Sequence, residues 1–361
     1  MTNQTLLFSP LRIRELATKN RVWVAPMCMY SCEGRDGIVG EFHVVHYGSR
    51  AVGGAGLIIV EATGVVPEGR ITPWCAGIWN EDQVLAWRRV TDAIRAGGSK
   101  SAIQLAHAGR KASTHRAQSG SGSVAIEDGG WQTVSSTSEA FEGYAAPREL
   151  STNEVAELPA VFAAAAERSD RAGFDAIEIH AAHGYLLHQF LSPITNQRSD
   201  QYGGSLENRA RLLLEVVKAI REVIPTEMPL MIRFSATDYR EDGWDQAQTS
   251  QVAGWAAELG ADLFDISSGG LITGVKIPTG PGYQVPLAEF VAKNVSQPVS
   301  AVGQITEAAQ AEAILQAGSV DVIMLARAVL RDPYWPLRAA AELGAEVEWP
   351  VQYLRGMWPK A

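Results

Sequence analysis

Short apolar runs recur along the chain at 22–25, 56–60, 102–105, 176–179, 230–232, 263–266, 299–302 and 322–325, with helical patterns between them. Runs this short and this apolar suit strands buried on both faces, and their alternation with amphipathic helices predicts a parallel sheet. Helix boundaries support the count. Ser151-Thr152-Asn153-Glu154 reads as a capping box that opens a helix through Ala172, and Gly173 can close it in the left-handed conformation. Gly97, Gly260 and Gly318 stand at similar places. Ala-Gly-Phe-Asp before the fourth run, Leu-Gly-Ala-Asp before the sixth and Ala-Gly-Ser-Val-Asp before the eighth echo one repeated unit.

Eight such units closing on themselves predict an α/β fold of the (β/α)8 type, whose typical size of roughly 250 residues leaves about a hundred for insertions. Residues 107–150 lack a clean period and are rich in Ser, Gly and Thr, so they are expected to form an excursion after the third strand. We expect a single domain over 1–361, ending in a tail at about 346–361. An open doubly wound sheet would announce a dinucleotide site by GxGxxG after its first strand, and Ala25-Pro26-Met27-Cys28 does not match it.

A barrel of this kind places its chemistry where the strands end. The fourth run leads into His180-Ala181-Ala182-His183-Gly184-Tyr185, and alternation along the strand aims Ala176, Glu178 and His180 at the axis. Two ring N–H donors converging on one point can polarise a carbonyl oxygen, and a nearby phenol can deliver a proton. The same pair also suits satisfied core groups or half of a metal site, although no further His, Asp or Glu follows at metal-ligand spacing. Other strand ends carry Cys28 and Tyr30, Ala62, Gln104, Arg233, Gly303 and Ala326-Arg327. Singly, Cys28 is a small buried hydrophobe, Gln104 a polar-layer residue and Arg233 the neutraliser of Glu178 or Asp265. On one rim they point to a site. Gly303 and Arg327 fall at the corner where such barrels hold phosphate. No lysine among Lys100, Lys111, Lys218, Lys276 and Lys293 ends a strand, which disfavours Schiff-base chemistry.

Composition narrows the partners. With 31 basic against 40 acidic residues, a net charge of -9 and a pI near 5.4, nucleic acid and anionic membrane are unfavourable partners. No apolar run is long enough to span a bilayer, and Met1 to Pro10 lacks the pattern of a signal peptide, so a cytoplasmic protein is expected. Cys28, Cys32 and Cys75, an odd set without a CxxC pair, fit a reducing compartment and predict no metal site.

Several longer motifs stand in order: Leu-Phe-Ser-Pro-Leu at the start, Ala25-Pro26-Met27, Gly69-Arg70-Ile71-Thr72, Gln104-Leu105-Ala106-His107-Ala108-Gly109-Arg110-Lys111, the His180–Leu186 stretch, and Asn196 through Ser205. In these the chain resembles the old yellow enzyme family from end to end. Cys28, Tyr30 and the tail Pro350-Val351-Gln352-Tyr353-Leu354-Arg355 resemble its thermophilic-like branch of NADPH dehydrogenases and xenobiotic reductases. The resemblance implies a barrel binding FMN non-covalently, reduced by NADPH or NADH and reducing activated alkenes such as enones, enals, maleimides and nitroalkenes. By matching motif it implies FMN contacts from Ala25, Pro26, Met27, Cys28, Ala62, Gln104, Arg233, Gly303, Ala326 and Arg327. His180 and His183 would hold the carbonyl or nitro oxygen, Tyr185 would protonate the α-carbon, and Tyr30 would close the pocket. Where the family commonly has Gly-Arg after the eighth strand, this chain has Ala326-Arg327. The tail would cross a homodimer or homotetramer interface, with Arg355, and Tyr353 beside it, reaching the neighbouring site. Another FMN barrel of the dihydroorotate dehydrogenase kind, or a flavin- or metal-binding barrel without turnover, are the rival readings.

Overall fold

All eight apolar runs become strands of one closed parallel barrel in the computed structural model, which describes residues 5–358. The strands are Val22–Val24, Leu57–Gly64, Lys100–Ala106, Ala176–Ala181, Leu230–Ser235, Leu263–Ser267, Val299–Ala301 and Val322–Leu325, here called first to eighth. Consecutive strands are neighbours, and Met324 opposite Trp23 closes the last onto the first. Residues 1–4, within the opening stretch that lacks a signal-peptide pattern, and residues 359–361 of the expected tail lie outside the described residues.

Alternation sorts each strand into two faces. Ile58, Ile103, Ile177 and Ile179 pack outward under the helices. Trp23, Leu57, Ile59, Ala102, Ala176, Met231, Leu263 and Met324 fill the lower interior, each large apolar side chain contributing about 1.5–3 kcal/mol by leaving water. A hairpin of Leu11–Ile13 and Leu16–Thr18 adds Ile13 and Leu16 to this inner cluster. Neither Leu11-Arg12-Ile13 nor Leu16-Ala17-Thr18 is an unbroken apolar run, and the sequence reading did not find them.

The echoed aspartates prove to be latches. Each precedes an even strand and exchanges two hydrogen bonds with the start of the odd strand before it. The Asp175, Asp262 and Asp321 amides donate to the carbonyls of Ser101, Leu230 and Val299 at 2.9, 2.7 and 2.8 Å. Their carboxylates accept from the same three amides at 2.9, 2.9 and 3.0 Å. In the first pair of strands Gly56 takes the aspartate's place, and its amide donates to the Val22 carbonyl. A Cβ on Gly56 would lie 2.5 Å from Asn20 Oδ1, because Asn20 supplies the missing acceptor to the Val22 amide at 3.1 Å.

The second strand departs from strict alternation. Pairing with the third strand slips between Val60 and Ala62, so Glu61 is an extra residue on its strand. The bulge sends the Glu61 carboxylate to Tyr47 and His43 on the helix Glu41–Val52, and turns Ala62 toward the site. Without it Glu61 would face the axis.

The expected capping box forms: the Ser151 hydroxyl accepts from the Glu154 amide at the start of Thr152–Arg171, and Gly173 is left-handed. Gly260 and Gly318 behave alike, but at the Gly97-Gly98 turn the left-handed residue is Gly98. Residues 107–150 run irregularly over short 3-10 turns at Gly109–Lys111 and Ile126–Asp128 and a two-residue pairing of Val134–Ser135 with Arg148–Glu149. Among the described residues no helix is long and apolar enough to cross a membrane, and no cluster of His, Cys, Asp and Glu could hold a metal ion.

Candidate active site

The His180 stretch owes its shape to backbone strain that is tied down. His183 and Gly184 are both left-handed, at φ 57° and 72°. A Cβ at Gly184 would meet the Gly270 carbonyl at 2.4 Å, so only glycine passes there. Left-handed geometry at a histidine costs on the order of 1–3 kcal/mol. Its amide donates to Ser235 Oγ at 2.9 Å and its carbonyl accepts from Lys111 Nζ at 2.8 Å, which offset that cost.

The strain brings three rings together. His180 and His183 stand edge to face at 5.2 Å between centroids, and His180 meets Tyr185 in the same way at 4.9 Å. His180 Nδ1 accepts the Ala182 amide at 3.3 Å, which leaves its proton on Nε2 as a donor. His183 Nε2 lies 2.7 Å from Ser267 Oγ. Gln284 donates to the Val302 carbonyl and so turns its Oε1 to Ser267 and Ser268. Ser267 therefore spends its own proton on Gln284, and the network assigns the shared proton to His183. His183 thus has its N–H engaged, while His180 has its N–H uncommitted. Burial, then the nearby Arg233, holds both imidazoles well below their usual range, so both are neutral at physiological pH. Burial, then Cys28, pushes the Tyr185 phenol well above its usual value.

Beneath the histidines lies a buried polar layer. Gln104 Nε2 donates to Glu178 Oε1 at 2.7 Å, its register partner across two strands. Arg233 stands in register with both His180 and Asp265, and its Nε is 2.9 Å from Asp265 Oδ2, close but not aligned as a hydrogen bond. Ser300 donates to the other Asp265 oxygen at 2.7 Å. Burial, then Asp265, pushes the Glu178 carboxyl up to about 8 against the opposing pull of Arg233.

From Arg233 a cavity of about 440 Å³ runs to the ends of the seventh and eighth strands. Of the residues expected at a cofactor, it is lined by Arg233, Gly303, Ala326 and Arg327; Ser267, Gln304, Thr306 and Arg331 join them. Gly303 has φ 121°, and a Cβ there would come 3.0 Å from Gln284 Nε2. Among the described residues the amides of Gly303 and Gln304 donate to nothing, and Arg327 has no ion-pair partner. Unsatisfied amides and a free guanidinium on one wall fit a phosphoryl group, so the donor set suits the phosphate of FMN.

Ala25 sits in the inner cluster with Ala326 packed against it, and Ala62 groups with Cys28, Tyr30 and Tyr185. Met27 instead turns its side chain to the outer core, and Pro26 is half-buried beside it. Tyr30 is left-handed at φ 53°, held where Glu61 Oε2 accepts the Met29 amide at 3.1 Å and Arg116 reaches the Tyr30 carbonyl at 3.0 Å. Burial raises the Cys28 thiol well above its usual range, which leaves it no ready nucleophile.

Lys111 is a site residue that the strand-end rule missed. Its Nζ is shared by the carbonyls of His183 and Gly270, both at 2.8 Å, and lies 5.3 Å from the Tyr185 ring centre. Burial, then Arg110, lowers it to about 8. Its place at the end of the Gln104–Lys111 motif, in the expected excursion, was the signal that could have found it. Tyr353 and Arg355 lie elsewhere: the short helix Val351–Gly356 is exposed, and Tyr353 meets Tyr334 at 6.0 Å between ring centres.

A family model described as NADH:flavin oxidoreductase / NADH oxidase matches residues 6–346. The chain is 45% identical over 352 residues to the NADPH dehydrogenase of Geobacillus thermodenitrificans (strain NG80-2), covering 98% of both chains. It is 44% identical over 350 residues to that of Bacillus subtilis (strain 168), covering 97% of this chain and 98% of the other. Among solved structures, morphinone reductase in complex with tetrahydroNAD matches with TM-score 0.78 and 31% identity over 95% of this chain and 92% of that one. The old yellow enzyme homologue from Zymomonas mobilis matches with TM-score 0.78 and 29% identity over 98% and 97%.

Proposed function

The chain belongs to the NADH:flavin oxidoreductase / NADH oxidase family, and from that premise we propose that it is an ene-reductase. It is an oxidoreductase of the NADPH dehydrogenase type, with FMN as cofactor and NADPH or NADH as reductant. When bound, FMN supplies the hydride chemistry that links a nicotinamide to an electron-poor alkene.

The residues divide that work. Gly303, Ala326 and Arg327 would hold the phosphate, Gln104 and Arg233 would bind the polar edge of the ring system, and the small side chains of Ala25 and Ala62 would admit a flat ring beside Pro26, Met27 and Cys28. His180 donates from Nε2 to the carbonyl or nitro oxygen of an enone, enal, maleimide or nitroalkene. His183 joins it when the substrate oxygen replaces Ser267 as acceptor. Being neutral, both polarise the oxygen without giving up a proton, which leaves protonation of the α-carbon to Tyr185. Tyr30 closes the pocket, and Lys111 holds the His183 carbonyl while its charge faces the Tyr185 ring.

One observation carries this reading: an uncommitted imidazole donor and a phenol, 4.9 Å apart between ring centres, meet at the upper end of a layer whose Arg233 also lines the anion-ready cavity. Anaerobic NADPH is expected to bleach the yellow protein, and 2-cyclohexenone to restore the colour. A flavin that NADPH reduces but no activated alkene reoxidises refutes the ene-reductase. A second proposal concerns the tail. Val351, Leu354, Met357 and Trp358 expose contiguous stretches of apolar side chain along the tail. In a homodimer or homotetramer this surface is covered, and Arg355 with Tyr353 completes a neighbouring substrate pocket. A fully active monomer by light scattering refutes it.

A further inference from the structure

Two buried carboxylates, Glu178 and Asp265, share one guanidinium in the barrel interior, and they are not equivalent. Asp265 has the Ser300 hydroxyl on one oxygen and the Arg233 Nε 2.9 Å from the other. Glu178 has a neutral amide, Gln104, on Oε1 and no hydrogen-bond partner on Oε2. Both carboxylates are fully buried, so three ionised groups would leave an uncompensated negative charge in the barrel interior. The carboxylate with fewer donors is the one that yields.

We propose that Glu178 is the redox-linked proton acceptor of this enzyme in alkaline solution, taking up one proton when electrons arrive on the cofactor beside Arg233 and releasing it when they leave. The inference rests on the FMN reading above. Its balance is simple. Hydride from the nicotinamide brings two electrons and one proton to the flavin, and above about pH 8 a second proton passes from solvent to the Glu178 carboxylate. On reoxidation the hydride leaves to the alkene, Tyr185 supplies the α-carbon proton and is reprotonated from solvent, and Glu178 returns its own proton to solvent.

Charge geometry sets the coupling. Among the described residues Arg233 is the sole cation facing Glu178, and it also lines the cofactor cavity. Negative charge placed there draws on the same guanidinium and leaves Glu178 less of its field. The other groups facing Glu178 are Gln104 on the third strand, Asp265 on the sixth and the neutral His180 on its own strand. The first, second and eighth strands present Trp23, Leu57, Ile59 and Met324 to the interior, and the seventh presents Ser300. Burial and Asp265 already lift the Glu178 carboxyl to about 8, so an added anion shifts its titration further upward through an accessible range.

The test is the midpoint potential of the FMN-loaded protein against pH, by spectroelectrochemistry from about pH 6 to 10. Each proton taken up per two electrons changes the equilibrium tenfold per pH unit, or about 30 mV. Wild type is expected to follow about 30 mV per unit below pH about 8 and about 59 mV above it. Glu178→Gln is expected to keep the shallow slope throughout. A steep segment that persists in Glu178→Gln, or a wild type with one slope at all pH values, overturns the proposal. Should the variant not fold, infrared difference spectra of wild type at about pH 9 decide the matter. Reduction must produce a protonated carboxyl band, and its absence overturns the assignment. Failure to take up FMN would instead sink the reading on which this rests.

Discussion

Tyr185→Phe separates the proposed acid from everything else the ring does. The ring meets His180 edge to face at 4.9 Å and lies 5.3 Å from the Lys111 ammonium, and phenylalanine keeps both contacts. Among the described residues the hydroxyl itself has no hydrogen-bond partner, so its loss breaks no bond within the fold. Stability is therefore expected to change by no more than about 0.5 kcal/mol. Loss of a positioned acid costs roughly 10²–10⁴ in rate, about 2.7–5.5 kcal/mol in the barrier. Anaerobic stopped-flow measures the two halves apart. NADPH oxidation is expected to stay within about twofold of wild type while alkene reduction falls by that factor. Because burial and Cys28 hold the phenol far above its usual value, wild-type alkene reduction should show no tyrosine limb up to about pH 10. Unchanged enone turnover in Tyr185→Phe would remove Tyr185 from the reaction.

Arg327→Ala removes a guanidinium with no partner among the described residues, so FMN affinity is expected to fall by roughly 10–150-fold, the worth of a charged hydrogen bond of about 1.5–3 kcal/mol; an unchanged fluorescence titration of the apoprotein refutes a phosphate role. Replacing both His180 and His183 by Ala should abolish tight phenol binding, with His180→Ala the costlier single change because His183 spends its N–H on Ser267. Equal single effects in a phenol titration would contradict that tautomer assignment. Glu178 binds its proton more tightly folded than unfolded, so its contribution is full below about pH 4.5 and is lost as pH rises to about 8. The urea midpoint of Glu178→Gln should thus gain on wild type across that window, and a constant difference would refute the raised value.

What could be read from the chain follows from how each feature is encoded. The eight strands were legible because burial on both faces leaves uninterrupted apolar runs, and the His180–Tyr185 cluster because it sits where a strand ends. The Glu61 bulge was not, since one inserted residue changes facing without changing composition. Lys111, Ser267 and Gln284 act through loops and a neighbouring strand that pair them only in space, as 2.7 and 2.8 Å contacts to His183 and 3.2 Å between themselves. The latching role of Asp175, Asp262 and Asp321 was visible as repetition but not as bonding.

Those aspartates also divide the wall unevenly. Odd-to-even junctions carry a repeated side-chain clamp on an amide at the start of the odd strand, with Asn20 standing in at the first, whereas even-to-odd junctions have no such repeat and add only single contacts such as Ser300 to Asp265 to the backbone ladder. The cylinder is thus four double staves, and thermal breathing will part it along four seams sooner than eight. Because the clamps sit at the opposite end from the imidazoles, the mouth can be remodelled for new substrates without loosening the hoops.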